Sequence, residues 1–452
     1  MLGKIVTTLT NCFKIPELKS RILFTLMLLA ICRLAALIPA PGLDASKLKG
    51  MVEMGGLLSM YSLFTGGGFQ NCAVGALGIM PYISATIIIQ LLTAVVPRLS
   101  KLAREEGGRT KIVQYGRYLT LVLCLGQGLV MALAWENPQR LFGTDIGRLV
   151  LYDNIWWYRI QTMIILTTGT MLLMWLGEQI TERGIGNGIS LVITIGILAQ
   201  LPGAAIAAWE MFFPPTGESR FHLFHAIGLI GLLGGVIAGV VAVTQAQRKI
   251  PVQYAQRAVG RKVISGGSSF MPLRVNYAGV MPVIFAQAIL MFPAQILQFL
   301  GTQTETPFLT RLALQLQEGS ILYLVIFGLM ILFFSYFWVA TQFNEIQIAD
   351  DMKRSGGYIP GIRPGQATSD FLHRVMSRIT LAGAIFLTII AIIPIILGNA
   401  FNIPPVVSQF FGGTSMLIMV GVMLDTMRQM ESHLLMRRYD GFLTKGKLRG
   451  RF

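Results

Sequence analysis

The apolar residues of this chain come in uninterrupted blocks at 22–38, 74–96, 118–135, 160–177, 189–209, 226–244, 275–298, 321–341, 378–397 and 409–427. A run of roughly 20 apolar residues is the length a helix needs to cross a bilayer. In hydrocarbon the backbone must satisfy its own hydrogen bonds, so only helices and closed barrels span, and blocks this long predict helices. The expected class is an all-α polytopic membrane protein with ten transmembrane helices. The second block is interrupted by Pro81, and the tenth opens on Gly412-Gly413. The first block does not read as a cleaved signal peptide. It starts late, after Lys14, Glu17, Lys19 and Arg21, and runs into Ile38-Pro39-Ala40-Pro41-Gly42 without a small-residue cleavage pattern.

One apolar run, Leu57 to Phe64, is only half a span long and is followed by Thr65-Gly66-Gly67-Gly68. That length suits a re-entrant or cavity-filling helix hinged by glycine, and an ordinary helix on the outer surface remains the alternative. Ahead of the first block, Ile5, Leu9 and Phe13 recur every four residues, the spacing of a short amphipathic helix on the membrane surface. The chain thus divides into a surface segment 1–21, a first half 22–209, a second half 210–427 and a tail 428–452. Two halves of five spans each must have opposite orientation, the inverted-repeat arrangement of many transport proteins. Gly78-Ile79-Met80-Pro81 and Gly279-Val280-Met281-Pro282 occupy corresponding places near the starts of the second and seventh spans. Broken helices at matching positions point to a passage between the halves, although helix packing explains mid-span Pro, Gly and Gln equally well.

Composition agrees with the block pattern: 54% of residues are hydrophobic and 13% charged, against about 25% charged in soluble domains. The net charge of +16 is unevenly placed. With both termini cytoplasmic, the outer loops hold only Lys47, Lys49, Arg140, Arg148, Arg220 and Arg311, with Arg33 and Arg159 near outer span ends, and all other Lys and Arg lie inside. Arg33 is placed to snorkel outward. The cytoplasmic loop 245–274 carries Arg248, Lys249, Arg257, Arg261, Lys262 and Arg274 with no acid, and Gly266-Gly267-Ser268-Ser269 in it reads as a flexible tip. A second cytoplasmic loop, 343–377, contains Arg363 between two Gly-Pro turns. Toward the end of the tail, Arg437, Arg438, Lys445, Lys447, Arg449 and Arg451 form a basic stretch, a composition attracted to anionic lipid. Cys12, Cys32, Cys72 and Cys124 are scattered, which reads as apolar filling rather than a metal site.

No HExxH, GxSxG or phosphate-binding loop is present, and the four histidines lie outside the spans, so neither an enzyme nor a cofactor is expected. Ion-coupled transporters hold ionisable groups near the bilayer midplane. Here the acids nearest a span interior are Glu178 and Asp425, both at cytoplasmic ends.

The stretches Ala76 to Thr93 (ALGIMPYISATIIIQLLT), Leu176 to Leu191 (LGEQITERGIGNGISL), Val275 to Phe285 (VNYAGVMPVIF), Pro360 to Gly365 (PGIRPG) and Gly412 to Ser415 (GGTS) resemble, in order, the motifs of the SecY/Sec61-alpha family of protein-export channels. The resemblance implies two inverted five-helix halves around a central hourglass pore. It implies a re-entrant plug helix at about 57–70, with Leu57, Leu58, Met60, Leu63 and Phe64 as its apolar contacts. Ile79, Ile83, Ile189, Ile193, Ile284 and Ile418 match the pore ring. The second and third spans would face the seventh and eighth as a lateral gate, with Ser84, Thr86, Gln90, Gln127 and Gln287 at its seam. Arg257, Arg261, Lys262 and Arg363 would dock the SecA motor or the ribosome, and positive-inside topology alone accounts for part of that charge. SecE and SecG, preprotein signal sequences and anionic lipids are the other implied partners, and the bacterial plasma membrane the implied location. The expected function is a protein-conducting channel that also releases transmembrane segments sideways into lipid, the alternative being a secondary transporter of a small solute. Ile79 and Ile83, four apart, share one helix face, as an apolar constriction requires.

Overall fold

A computed structural model describes residues 15–48, 61–62, 64–138, 149–213, 223–254, 257–259, 262–264, 267–304, 306–317, 319–401, 403–404, 407–408, 410 and 414–445. The first half contains α1 (Pro16–Leu37), α2 (Met80–Val95), α3 (Pro97–Arg104), α4 (Gly108–Glu136), α5 (Ile155–Arg183), α6 (Gly188–Ala199) and α7 (Leu201–Phe212). The second contains α8 (Leu223–Gln245), α9 (Met281–Gln303), α10 (Pro307–Gln315), α11 (Ile321–Gln342), α12 (Glu345–Arg354), α13 (Gln366–Ala400) and α14 (Thr414–Lys445). Eight helical stretches of the described residues are long and apolar enough to cross a membrane, and α2 with α3 makes a ninth that bends by 103°. The bend falls at Val96-Pro97, where Pro97 cannot supply the amide that would continue α2. The tenth expected span enters as α14, described from Thr414 onward and continuous to Lys445.

Two sequence expectations change. Pro81 does not interrupt the second span. It stands in the first turn of α2, where its missing N–H would have no helical partner in any case. Residues 74–79 form turns instead of helix. Pro282 opens α9 in the same way. Gly78 and Gly279 precede these starts with φ of +61° and +63°, followed by Ile79 (φ −97°, ψ 0°) and Val280 (φ −96°, ψ −3°). The same backbone turn therefore opens corresponding helices in the two halves, a repeat visible in dihedral angles.

The second change concerns loop 245–274, which is an antiparallel hairpin. Strand β1 (Gln247–Tyr254) pairs with β4 (Ser268–Arg274), and the short β2 (Arg257–Val259) and β3 (Lys262–Ile264) pair toward its end. Ser268 and Ser269 pair with Gln253 and Val252, so these serines belong to the ladder and not to a flexible tip. A fifth strand, β5 (Gly357–Tyr358), adds to the other edge of β1 through Gln253↔Tyr358 and Tyr254↔Gly357. The sheet order β4-β1-β5 thus joins loop 245–274 to loop 343–377. Ile250 and Leu273 anchor it in an apolar cluster with Val339, Phe343, Leu372 and Met376 of α11, α13 and the residue that follows α11.

Large apolar side chains on α1, including Leu23, Leu26, Met27 and Leu34, are exposed, as a lipid-facing surface requires. The α4–α5 pair is fastened near both ends. Arg117 donates to both oxygens of Glu178 (3.1 and 2.7 Å), and Arg159 to both oxygens of Glu136 (2.8 and 3.1 Å). Tyr82 of α2 donates its hydroxyl to the same Glu178 at 3.3 Å. Forked Arg–carboxylate pairs fix orientation as well as proximity. Glu178→Ala strands a half-exposed arginine and lowers stability by about 1–3 kcal/mol, less than for a fully buried pair. A thermal-melting double-mutant cycle with Arg117→Ala checks this: the double variant loses less than the sum of the singles.

Candidate pore, plug and gate

The apolar girdle draws on both halves. Ile79, Ile83 and Ile193 from the first half and Ile284 and Ile418 from the second are buried in a single continuous hydrophobic cluster. Ile189 is half-buried and packs against it. Ile79 ends the turn before α2, with Ile83 one turn on, and Ile284 lies in the first turn of α9. The close approach of α6 to α5 beside these residues depends on glycine: a Cβ on Gly188 would lie 1.9 Å from the Gly177 carbonyl oxygen. On α6, Ile197 is as fully buried as Ile193, and sequence reasoning, with several isoleucines competing, did not single it out.

Beside this cluster lies a cavity of about 440 Å³, lined by Asn187 and Ser190 from the first half and Asn276, Asp425, Arg428 and Gln429 from the second, among others. The turn entering α6 borders it and is pinned from three directions. Ile185 N–H donates to Thr25 Oγ1 (3.1 Å), Gly188 N–H to Thr181 Oγ1 (2.9 Å) and Gly186 N–H to Gln429 Oε1 (2.8 Å). The last of these joins the two halves. Gln429 escaped the sequence reading because nothing local distinguishes it from other polar residues after a span.

The halves pack on each other through α6 on α14 and through α2 on α9. The first seam carries the Gly186–Gln429 bond. Along the second, the polar residues turn elsewhere: Thr86 donates to the Tyr82 carbonyl of its own helix (2.8 Å), and Gln287, fully buried, donates to Thr414 Oγ1 of α14 (3.0 Å). Gln287 therefore braces the second half internally. Ser84 is buried on α2, while Gln90 on α2 and Gln127 on α4 are half-buried.

Of the plug residues, Leu57, Leu58, Met60 and Leu63 lie outside the described residues. Phe64 is buried in the main cluster, with Tyr61 and Phe69, whose rings meet edge to face at 5.4 Å. Arg33 does not snorkel outward; its Nη1 donates to the Gly66 carbonyl at 2.8 Å.

Of the docking residues, Arg261 lies outside the described residues, and Arg257 and Lys262 fall in β2 and β3. Arg363 is exposed, on a loop whose backbone is held by Thr368 Oγ1 donating to the Arg363 carbonyl (2.9 Å). The neighbouring Ile362 packs against the cluster under the sheet.

Glu178, one of the two acids nearest a span interior, is occupied by Arg117 and Tyr82, which gives the small-solute transporter no site of its own there.

The SecY family model matches residues 73–427. The chain is 43% identical to the protein translocase subunit SecY of Chlamydia trachomatis, over 99% of this chain and 100% of that protein. It is 42% identical to the SecY of Escherichia coli strain K12, over 96% of each. Among solved structures, one described as the structure of a protein conducting channel superposes with a TM-score of 0.62 at 16% identity, covering 92% of both chains. A second, on the plug domain of SecY, gives 0.61 at 17% identity over the same shares. A third, Sec61 in the canine ribosome-channel complex, gives 0.59 at 16% identity over the same shares. These structural likenesses show the fold, and with near-full-length identity above 40% the conclusion is plain: this multi-pass membrane protein belongs to the SecY family.

Proposed function

We propose that this protein is the pore subunit of a protein-conducting channel. It passes unfolded preproteins outward and releases apolar segments sideways into lipid. The observation that carries this reading is the isoleucine girdle, assembled from both halves beneath a polar vestibule. An apolar waist sheds water and ions by dewetting, yet offers a sliding chain no hydrogen bonds to break. Relatives named as translocase subunits, and the solved channel whose plug is described as maintaining a membrane seal, support the same reading. The decisive experiment reconstitutes the purified protein, with its copurifying subunits, into proteoliposomes. Protease-protected preprotein should accumulate only when a motor and ATP are added. Accumulation of a small solute without any polypeptide transport would overturn the reading.

The protein catalyses no reaction itself; ATP hydrolysis or translation supplies the energy. Both termini face the cytoplasm, in the plasma membrane of a bacterium. SecE and SecG are the expected small membrane partners, SecA and the ribosome the cytoplasmic ones, and anionic lipid the partner of the basic tail. Residues 57–70 act as the plug. The gate opens between α2 and α9, the seam whose buried glutamine is engaged elsewhere, while the α6–α14 seam holds.

Because β5 ties the Arg363 loop to the basic hairpin, the two loops present one docking surface. Losing a charged contact at such an interface costs about 2–5 kcal/mol. Arg363→Glu is expected to cut motor-driven export at least tenfold while leaving expression and melting temperature unchanged. Degradation of the variant would make the residue structural instead.

A further inference from the structure

The plug reading leaves open what holds the segment in place at rest. Two side chains from opposite sides do so. Arg33 stands four residues before the end of α1, and among the described residues no carboxylate lies within 4 Å of it. A guanidinium this near a membrane end can reach the headgroup region along its own flexible stem. Here it turns inward and donates to the Gly66 carbonyl at 2.8 Å. Gln200, at the junction of α6 and α7, donates from Nε2 to the Ser62 carbonyl (3.2 Å) and to Ser62 Oγ (3.3 Å).

The two anchored residues close one turn. The Ser62 carbonyl also accepts from the Gly67 amide (2.8 Å) and from Thr65 Oγ1 (3.2 Å). Gly66 sits at φ +63°, and a Cβ there would lie 2.7 Å from the Gly196 Cα and 2.4 Å from Arg33 Nη1. Only glycine lets this backbone reach both the guanidinium and α6. Downstream, the chain is knit to the outer end of α1 by Ala40 N–H to Cys72 O (2.8 Å) and Gly75 N–H to Ala35 O (2.9 Å). The fixed end is therefore C-terminal to Gly66, and the turn 62–66 is where the segment is clipped to α1 and α6.

We infer that Arg33 and Gln200 form a latch that clips the turn Ser62–Gly66 to the first half, and that releasing these carbonyls is the step that frees the plug. The inference rests on residues 57–70 being the plug. Arg33 is a positioning residue: it acts on the seal through the Gly66 carbonyl and not by touching the translocating chain. Its bond is charge-assisted and the stronger of the two, while the glutamine bond is neutral and weaker.

The test is resting ion conductance in planar bilayers, using full-length protein purified with its copurifying subunits. Arg33→Gln is expected to raise the leak about tenfold, equivalent to about 1.4 kcal/mol. Gln200→Ala should raise it less, and Arg33→Lys, which keeps a cationic donor, should restore part of the seal. Each substitution is repeated in a chain lacking residues 58–68, which has no turn left to hold. There neither should add to the leak of the deletion itself. An equal added leak in that background would show that Arg33 acts on the pore by another route and overturn the latch. A leaky deletion with Arg33→Gln and Gln200→Ala both tight would also overturn the latch while leaving the plug reading standing. A tight deletion would overturn the plug reading, and the latch with it. If Arg33→Gln fails to insert, Gly66→Ala attacks the same contact from the other side and must leak for the latch to survive.

Discussion

Replacing Ile284 or Ile418 with asparagine is expected to raise resting ion conductance by one to two orders of magnitude while polypeptide transport persists. Both side chains are fully buried, on α9 and α14 of the second half, in the hydrophobic cluster that also holds Ile79, Ile83 and Ile193 of the first. An amide in that position has no partner in the closed state, and a buried polar group without one costs about 1–3 kcal/mol. The open, wetted state hydrates the same amide, so the penalty falls on the closed state alone. A differential of that size moves a two-state equilibrium about 5–150-fold. On the proposed reading the waist must also stay dry against the membrane potential, across which each charge carries about 2.3 kcal/mol per 100 mV. Planar-bilayer recordings of correctly folded variants decide the matter. Unchanged conductance in both variants would remove these residues from the gate.

A disulfide engineered between α2 and α9 is expected to abolish export, and a long flexible crosslinker at the same two positions is expected to leave it working. The two helices pack directly, yet Thr86 bonds to its own helix and Gln287 bonds to α14. Interhelical hydrogen bonds in membranes are worth only about 0.6 kcal/mol on average. A seam held mainly by apolar packing can part without unfolding either half, since lipid or a signal sequence replaces the lost contacts. The opposite seam, by contrast, is fastened by Gly186 and Gln429. A disulfide holds Cα atoms within about 7 Å and forbids such parting. Oxidised and reduced samples compared in one export assay provide the control, and equal inhibition by both crosslinks would indicate a rigid interface.

Much of this was legible in one dimension. Span length reports bilayer thickness directly, so the apolar blocks marked the membrane helices. The paired glycine-proline motifs announced matching helix starts in the two halves, because Gly at positive φ and Pro in a first turn are local backbone demands. Where local reading went astray, a longer-range partner had intervened. Ser268 and Ser269 look like a loop tip until β1 pairs with them, and Arg33 looks free to snorkel until Gly66 arrives from 33 residues away.

The sequence by itself thus determined the membrane class, the apolar blocks, the repeat and the family, since each is written in runs and spacings of neighbouring residues. Only the tertiary structure decided which polar groups meet. Gly186 and Gln429 are separated by 243 positions, Gln200 and Ser62 by 138, and Arg117 and Glu178 by 61. No periodicity encodes such pairs, because hydrogen bonds across packed helices depend on where whole faces come to rest. That placement is fixed by the sum of many weak apolar contacts, and only afterwards do the few polar side chains find their partners.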